Sequence, residues 1–281
     1  MRFINPKTDF AFKRIFGSSE SKNILKSFLN ALIYEGKPVI EDLEIIDPAL
    51  GAKISGLKDT YLDVKAKINQ GKTVIIEMQV LNVSAFAKRV IYNAAKTYAT
   101  QLGKGEGYSK LKPVIALTIT DFEMFEDDPD VVSHFVFKQT KRLFDYPDPE
   151  IELFFVELPK FNKSLEELET LTDKWIYFMK NAPSLAVIPN QMQEISELKE
   201  AFTIANEANL SPTELEYLEK REMVIEDQRN AVRKGIEEGM EAGRLEKALE
   251  IAKQFLDVVD DQTLSQKTGL TLEDIQQLRQ G

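Results

Sequence analysis

An α/β fold, with a mixed sheet flanked by helices and an all-helical C-terminal region, is what this 281-residue chain predicts. Three observations carry the prediction. Strand-like stretches are confined to the first 160 or so residues, a long helical stretch separates two of the most apolar of them, and from Ser164 onward only helical periodicity remains. A hydrophobic content of 43% is enough for a real core, and the length suits one sizeable domain with an appendage, or two domains.

The elements follow in order. Thr8 or Asp9 can cap a helix through "FAFKRIFG", and Ser21 can start a second, "KNILKSFLNALI", whose apolar residues recur at helical spacing. "VIEDLEII" reads as a strand and "PALGAKISGLKD" as a loop. Alternation over Tyr61 to Ile68 and an apolar run from Thr73 to Leu81 predict two strands, and a helix from about Ser84 to Leu102 comes next. "VIALTIT", "SHFVFKQT" and "IELFFVEL" predict three more strands. Ser164 and Glu167 form a capping box ahead of "LETLTDKWIYFMKN", and Ile195 to about Leu256 is helical apart from a break that Ser211 and Pro212 restart. Gly235, Gly239 and Gly243 recur every fourth residue, at about 1 kcal/mol each relative to alanine, so either another backbone comes close there or the helix is weak. Short helices around Gly269 close the chain, the last capped by Thr271 and Asp274.

Charge divides unevenly. Residues 1–113 hold 18 Lys and Arg against 11 Asp and Glu, while the remainder holds 18 against 35. A basic front half suits a surface that faces phosphates. With no cysteine and one histidine, disulfide frameworks, thiol nucleophiles and cysteine-based or multi-histidine zinc sites are excluded. Neither a signal-peptide core nor a membrane-spanning run is legible, so a soluble, cytoplasmic protein with no membrane partner is expected.

The central stretch "LDVKAKINQGKTVIIEMQ" carries the chemistry. The "NQG" segment predicts a three-residue hairpin loop, a type I turn with Gly71 left-handed and Ile68 and Lys72 as the closing pair. Paired positions then place Asp63 opposite Glu77, on the face that also holds Lys65 and Gln79. Two opposed carboxylates repel and need compensation. Either a hard divalent cation lies between them, or Lys65 neutralises both from a diagonal position.

With "TDFAFKRIFG", "KRVIYNAAKTYATQLGKGEGYSKLKPVIALTI", "WIYFMKN" and the spaced glycines before "TGLTLEDIQQL", the chain resembles the recombination-promoting nucleases, a transposase-like family of the PD-(D/E)XK nuclease superfamily, over nearly its whole length. The resemblance implies a restriction-endonuclease-like core over residues 1–160, a helical extension over 161–230, and a glycine-spaced helix with a C-terminal helical hairpin, suited to homo-oligomerisation, over 231–281. It implies Asp63 and Glu77 as ligands of Mg²⁺, or of another hard ion such as Mn²⁺ or Ca²⁺, and places Gln79 where the superfamily has a lysine. Gln79 can orient a water but supplies no charge, and Lys65 is a candidate replacement. Asp9 falls where a helix often brings a further acid to the site, although an aspartate there is also a good helix cap. The helix after Glu77 offers Lys88, Arg89, Tyr92, Asn93, Lys96 and Thr100 as a stripe for DNA phosphates, or as an ordinary solvated face. His134, in an apolar strand, is expected to be structural. The C-terminal "TLSQKTGLTLEDIQQL" looks like a helix-turn-helix fragment, yet residues 244–281 hold 5 basic against 7 acidic residues, which favours protein contact over DNA reading. The expected function is a metal-dependent DNA endonuclease of low sequence specificity. The alternatives are an inactive DNA-binding or assembly protein on the same scaffold, and a helical adaptor that binds only protein.

Overall fold

A computed structural model describes residues 2–50 and 60–280, the side chains of 49, 50, 60 and 61 excepted. Most of the expected loop from Pro48 to Asp59 lies outside the described residues. The chain forms two compact units, Met1–Glu222 and Met223–Gly281.

In the first unit, helix α1 (Asp9–Phe16) opens on Thr8, whose hydroxyl accepts the Ala11 N–H. Helix α2 (Lys22–Ile33) follows a single 3-10 turn, and there it is Ser18, not Ser21, whose side chain caps. The strands are β1 (Leu43–Ile46), the two-residue pair β2 (Ala49–Leu50) and β3 (Thr60–Tyr61), β4 (Val64–Ile68), β5 (Thr73–Gln79), β6 (Val114–Thr120), β7 (Val132–Phe135) and β8 (Ile151–Glu157). Helix α3 (Phe86–Ala99) is the crossover between β5 and β6, as a parallel pair requires. The six-stranded sheet runs β1-β4-β5-β6-β8-β7, parallel from β5 through β6 to β8 and antiparallel elsewhere. Every residue of β6 is buried, as expected for a strand covered on both faces.

The two faces bury different sets. Val64, Ala66, Val74, Ile76, Ile115 and Leu117 pack with α1, α2, α4 (Leu171–Asn181) and α6 (Ser196–Ile204) in the larger core, where Trp175 meets Phe28 and Phe178 edge-to-face and Phe16 lies tilted against Phe28. On the other face Ile75, Ala116 and Phe155 pack under Phe86, Val90 and Ala94 of α3. The predicted register holds. Lys65 pairs with Ile75 and Val64 with Ile76, and the Ile68 N–H donates to the Lys72 carbonyl at 2.8 Å. The turn differs in one respect, because Gln70 (φ 59°) joins Gly71 (φ 81°) in the left-handed region.

The Ser164 capping box is present but caps only a 3-10 turn, Leu165–Glu167. A second box starts α4. Thr170 Oγ1 accepts the Asp173 N–H at 3.0 Å, and Asp173 Oδ2 accepts the Thr170 N–H at 3.0 Å. Burial opposes ionisation of Asp173, but Lys163, at 2.8 Å, and the Thr170 bonds outweigh it and hold the carboxyl below its ordinary 3.8. Its contribution is therefore complete above that value and is lost as pH falls below it. Replacing Asp173 by alanine should cost about 1–2 kcal/mol at neutral pH. In urea titrations the gap between parent and variant should narrow on acidification below pH 3.8; a constant gap would count against the ionic part of this account.

The remaining helices of this unit include α5 (Asn190–Gln193) and the start of α7 (Pro212–Phe255), with Pro212 at its first position. The second unit holds the rest of α7, α8 (Asp261–Thr268) and α9 (Leu272–Gln280), packed about Ala252, Leu264, Leu270 and Ile275. The Thr271–Asp274 capping box is formed. A side chain added at Gly235, Gly239 or Gly243 would meet nothing within 4 Å, so these glycines accommodate no approaching backbone in the described structure. Among the described residues no helix is long and apolar enough to cross a membrane.

Candidate active site

The site forms where β5 ends, between α1 on one side and α3 on the other. The hairpin alternation does not run through to Asp63. Pairing of β4 begins at Val64, the chain bends at Asp63, and Leu62 packs with Ile75 and Phe86 on the α3 side. Asp63 therefore does not stand as an opposed side chain on the Glu77 face. Its Oδ2 instead accepts the Met78 N–H at 2.7 Å, one peptide bond from Glu77, in place of the ladder bond that β4 no longer supplies.

The two carboxyl groups consequently engage different helices. Asp63 shares a side-chain hydrogen bond with Asp9 of α1. Lys13, one turn on from Asp9, stands 2.7 Å from Asp9 Oδ1 and 3.8 Å from Asp63 Oδ1. Burial pushes the Asp63 carboxyl up to about 7, the Asp9 bond adding to the rise and the Met78 N–H opposing it. Asp9 goes the other way. Burial opposes its ionisation, but Lys13, the Asp63 bond and Arg221 hold it below its ordinary value.

Glu77 lies under α3, where Asn93 Nδ2 donates to its Oε1 and Arg89 Nε stands 3.8 Å from its Oε2. Burial raises its pKa against the pull of Arg89 and Asn93. Gln79 has both ends engaged: its Oε1 accepts from Arg89 at 2.5 Å and its Nε2 donates to the Leu81 carbonyl at 2.7 Å. Where a free amide orienting a water was expected, the structure shows a bracket for Arg89.

The expected phosphate stripe on α3 turns inward part-way along. Lys88 and Arg89 are exposed and Tyr92 is half-buried, but Asn93 and Lys96 are buried. Lys96 is thus removed from the exposed set. The spacing of 89, 93 and 96 follows the border of the face that carries Val90 and Ala94 against the sheet. Lys65, half-buried, pairs with Ile75 on the Glu77 face. His134 lies apart from these residues in sequence and partners: its Nε2 pairs with Glu152 Oε2 at 2.9 Å and its ring stacks on Phe154. Sequence reading missed Lys13, which touches both Asp9 and Asp63, and the Lys7–Asp121 ion pair at 3.0 Å, which ties the segment before α1 to the end of β6. A lysine four residues after Asp9 was the one available signal for Lys13.

Among the described residues no group of three or more His, Asp or Glu is placed to hold a metal ion. The donor chemistry nevertheless suits a hard cation. Glu77 Oε2 and Asn93 Oδ1 are buried oxygens with no hydrogen-bond partner, and hard divalent ions take carboxylate and carbonyl oxygens.

A mixed sheet with a parallel centre, helices on both faces and buried carboxylates beside its central strand defines a restriction-endonuclease-like nuclease architecture. The chain belongs to the PD-(D/E)XK nuclease family transposases, whose family model matches residues 6–235. This family membership supports a nuclease-like function acting on DNA. No curated protein and no solved structure gives a significant match.

Proposed function

We propose that the protein is a divalent-metal-dependent DNA endonuclease of low sequence specificity, of the recombination-promoting type. The observation that supports this most is the pair of largely but not fully buried carboxyls flanking one stretch of β5 backbone, Asp63 on the Met78 N–H and Glu77 one residue before it. Asp63 and Glu77 would hold the ion, with Asp9 beside them. A bound ion of this kind stabilises charge on a phosphodiester and lowers the pKa of an attacking water. Lys13 supplies positive charge at Asp63, a role expected of Lys65, while Gln79 fixes Arg89 beside Glu77. Lys88 and Tyr92 extend the DNA-facing surface. Supercoiled plasmid incubated with Mg²⁺, Mn²⁺ or Ca²⁺ should be nicked by the parent and not by Asp63→Asn; equal rates for the two proteins would remove the proposal.

A second reading, a DNA-binding scaffold without turnover, draws on the separate engagement of Asp63 with α1 and Glu77 with α3. DNA retardation that persists in EDTA, with no cleavage in any of the three metals, would favour it.

We also propose self-association through α7. Val232, Ile236 and Met240 are exposed along it. A two-fold antiparallel crossing centred on Gly235 would set Arg233 against Glu237 and Arg244 against Glu226 of a second copy, with the spaced glycines giving room for close approach. Since the chain has no cysteine, Ile236→Cys should form an intermolecular disulfide on oxidation. Asn230→Cys should not, because its copies would lie about 15 Å apart along the axis. Equal cross-linking of both, or of neither, argues against this register.

A further inference from the structure

Beside Asp9, a groove of about 670 Å³ lies between α1 and the first turns of α7, lined by Asp9, Phe10, Lys13, Arg14, Glu214 and Tyr217. Its wall is largely apolar and aromatic. Tyr217 meets Phe10 edge-on, with centroids 5.6 Å apart at 61°, yet 46% of Tyr217 remains exposed. An aromatic left half-open to solvent offers a flat surface on which a planar ligand can stack.

The surrounding charges define the ligand further. Lys13, Arg14 and Arg221 line this region together with the carboxyl groups of Asp9 and Glu214, and Lys13 also faces Asp63. Arg14 is oriented by Glu214 and the Asn209 carbonyl, and its buried Nε–H has no acceptor. Lys13 belongs to the groove and to the carboxylate site at once, since it reaches Asp63 as well as Asp9. Whatever occupies the groove is therefore continuous with whatever meets Asp63.

We infer that this groove binds one unpaired nucleotide of the DNA strand being cut, its base stacked on Tyr217 and its phosphate facing Lys13, Arg14 and Arg221. The inference rests on the endonuclease reading and adds to it a preference for single-stranded or locally unpaired DNA. A base inside a duplex is stacked on its neighbours and cannot present its face to a side chain, whereas an unpaired one can, and such stacking tolerates any sequence. That agrees with low sequence specificity.

The test uses full-length Asp63→Asn protein and short oligonucleotides carrying 2-aminopurine, either in a single strand or in a fully paired duplex. The single strand should bind more tightly, with its fluorescence quenched on binding. Tyr217→Ala and Tyr217→Leu in the same background should weaken single-strand binding about tenfold and abolish the quench, and Tyr217→Trp should retain both. Because Tyr217 is about half exposed and the rest of the core does not rest on it, these variants should stay folded, with melting temperatures within a few degrees of the parent. Unchanged binding and quenching in Tyr217→Ala and Tyr217→Leu would overturn the inference, as would equal affinity for single strand and duplex. Failure of the endonuclease reading would show separately, as absence of plasmid nicking by the protein with Asp63 intact.

Discussion

Asp63→Asn should destroy plasmid cleavage and at the same time make the metal-free protein harder to unfold. The two effects have one cause. The Asp63 side chain is only 18% exposed, and burial lifts its carboxyl to about 7 from an ordinary 3.8. A group raised in the folded state contributes its stability below the unfolded value and loses it as pH climbs through the folded one. Between about pH 4 and pH 7 the parent in EDTA should thus lose stability at this position, by an amount on the order of 1–3 kcal/mol since the proton is shared with Asp9. Asparagine keeps an oxygen for the Met78 N–H and removes the charge. At pH 8 in chelator the variant should melt a few degrees above the parent. Cleavage should drop at least about a hundredfold, because a neutral amide no longer contributes a charge to hold the ion. A variant that melts below the parent in EDTA would show that ionised Asp63 is stabilised by its surroundings rather than strained by them.

The largest effect on folding is expected at Lys160. Its side chain is 6% exposed, and its ammonium meets the fully buried Glu157 carboxylate at 2.6 Å. It also donates to the carbonyls of Phe125 and Asp128, while Glu157 Oε1 accepts from the backbone N–H groups of Met124 and Phe125. The pair therefore staples the loop that follows β6 onto the end of β8. Lys160→Met fills similar volume but strands the carboxylate, at a cost of about 3–5 kcal/mol. Glu157→Gln combined with Lys160→Met should recover most of that loss, since the amide oxygen still accepts both N–H groups and no buried charge is left. Urea unfolding followed through Trp175, the single tryptophan, reports on this unit. A Lys160→Met loss under about 1 kcal/mol would mean that water reaches the pair.

Much of the sheet was legible because its signals are local. The "NQG" loop and two alternating flanks fixed the β4–β5 register, and the unbroken "VIALTIT" run announced a strand buried on both faces. The site was legible as a set of residues more than as a geometry. Alternation assumes a strand that continues, and nothing local announced the bend that turns Asp63 from the Glu77 face onto the Met78 N–H and toward α1. Likewise a helical stripe shows which residues share a face without showing what covers it, so Lys96 was read as solvent-facing although it is buried. Lys13 and Arg14 act on partners up to 200 positions away, a distance at which spacing carries no information.

The segment leading into the Asp9 helix is clasped by residues far downstream. The Ile4 N–H donates to the Ala205 carbonyl, the Glu207 N–H donates to the Arg2 carbonyl, and Phe3 packs edge-on against Phe202. The stretch of chain that leads into the Asp9 helix therefore cannot complete its packing until residues 202–207, about 200 positions downstream, have been synthesised and folded against it.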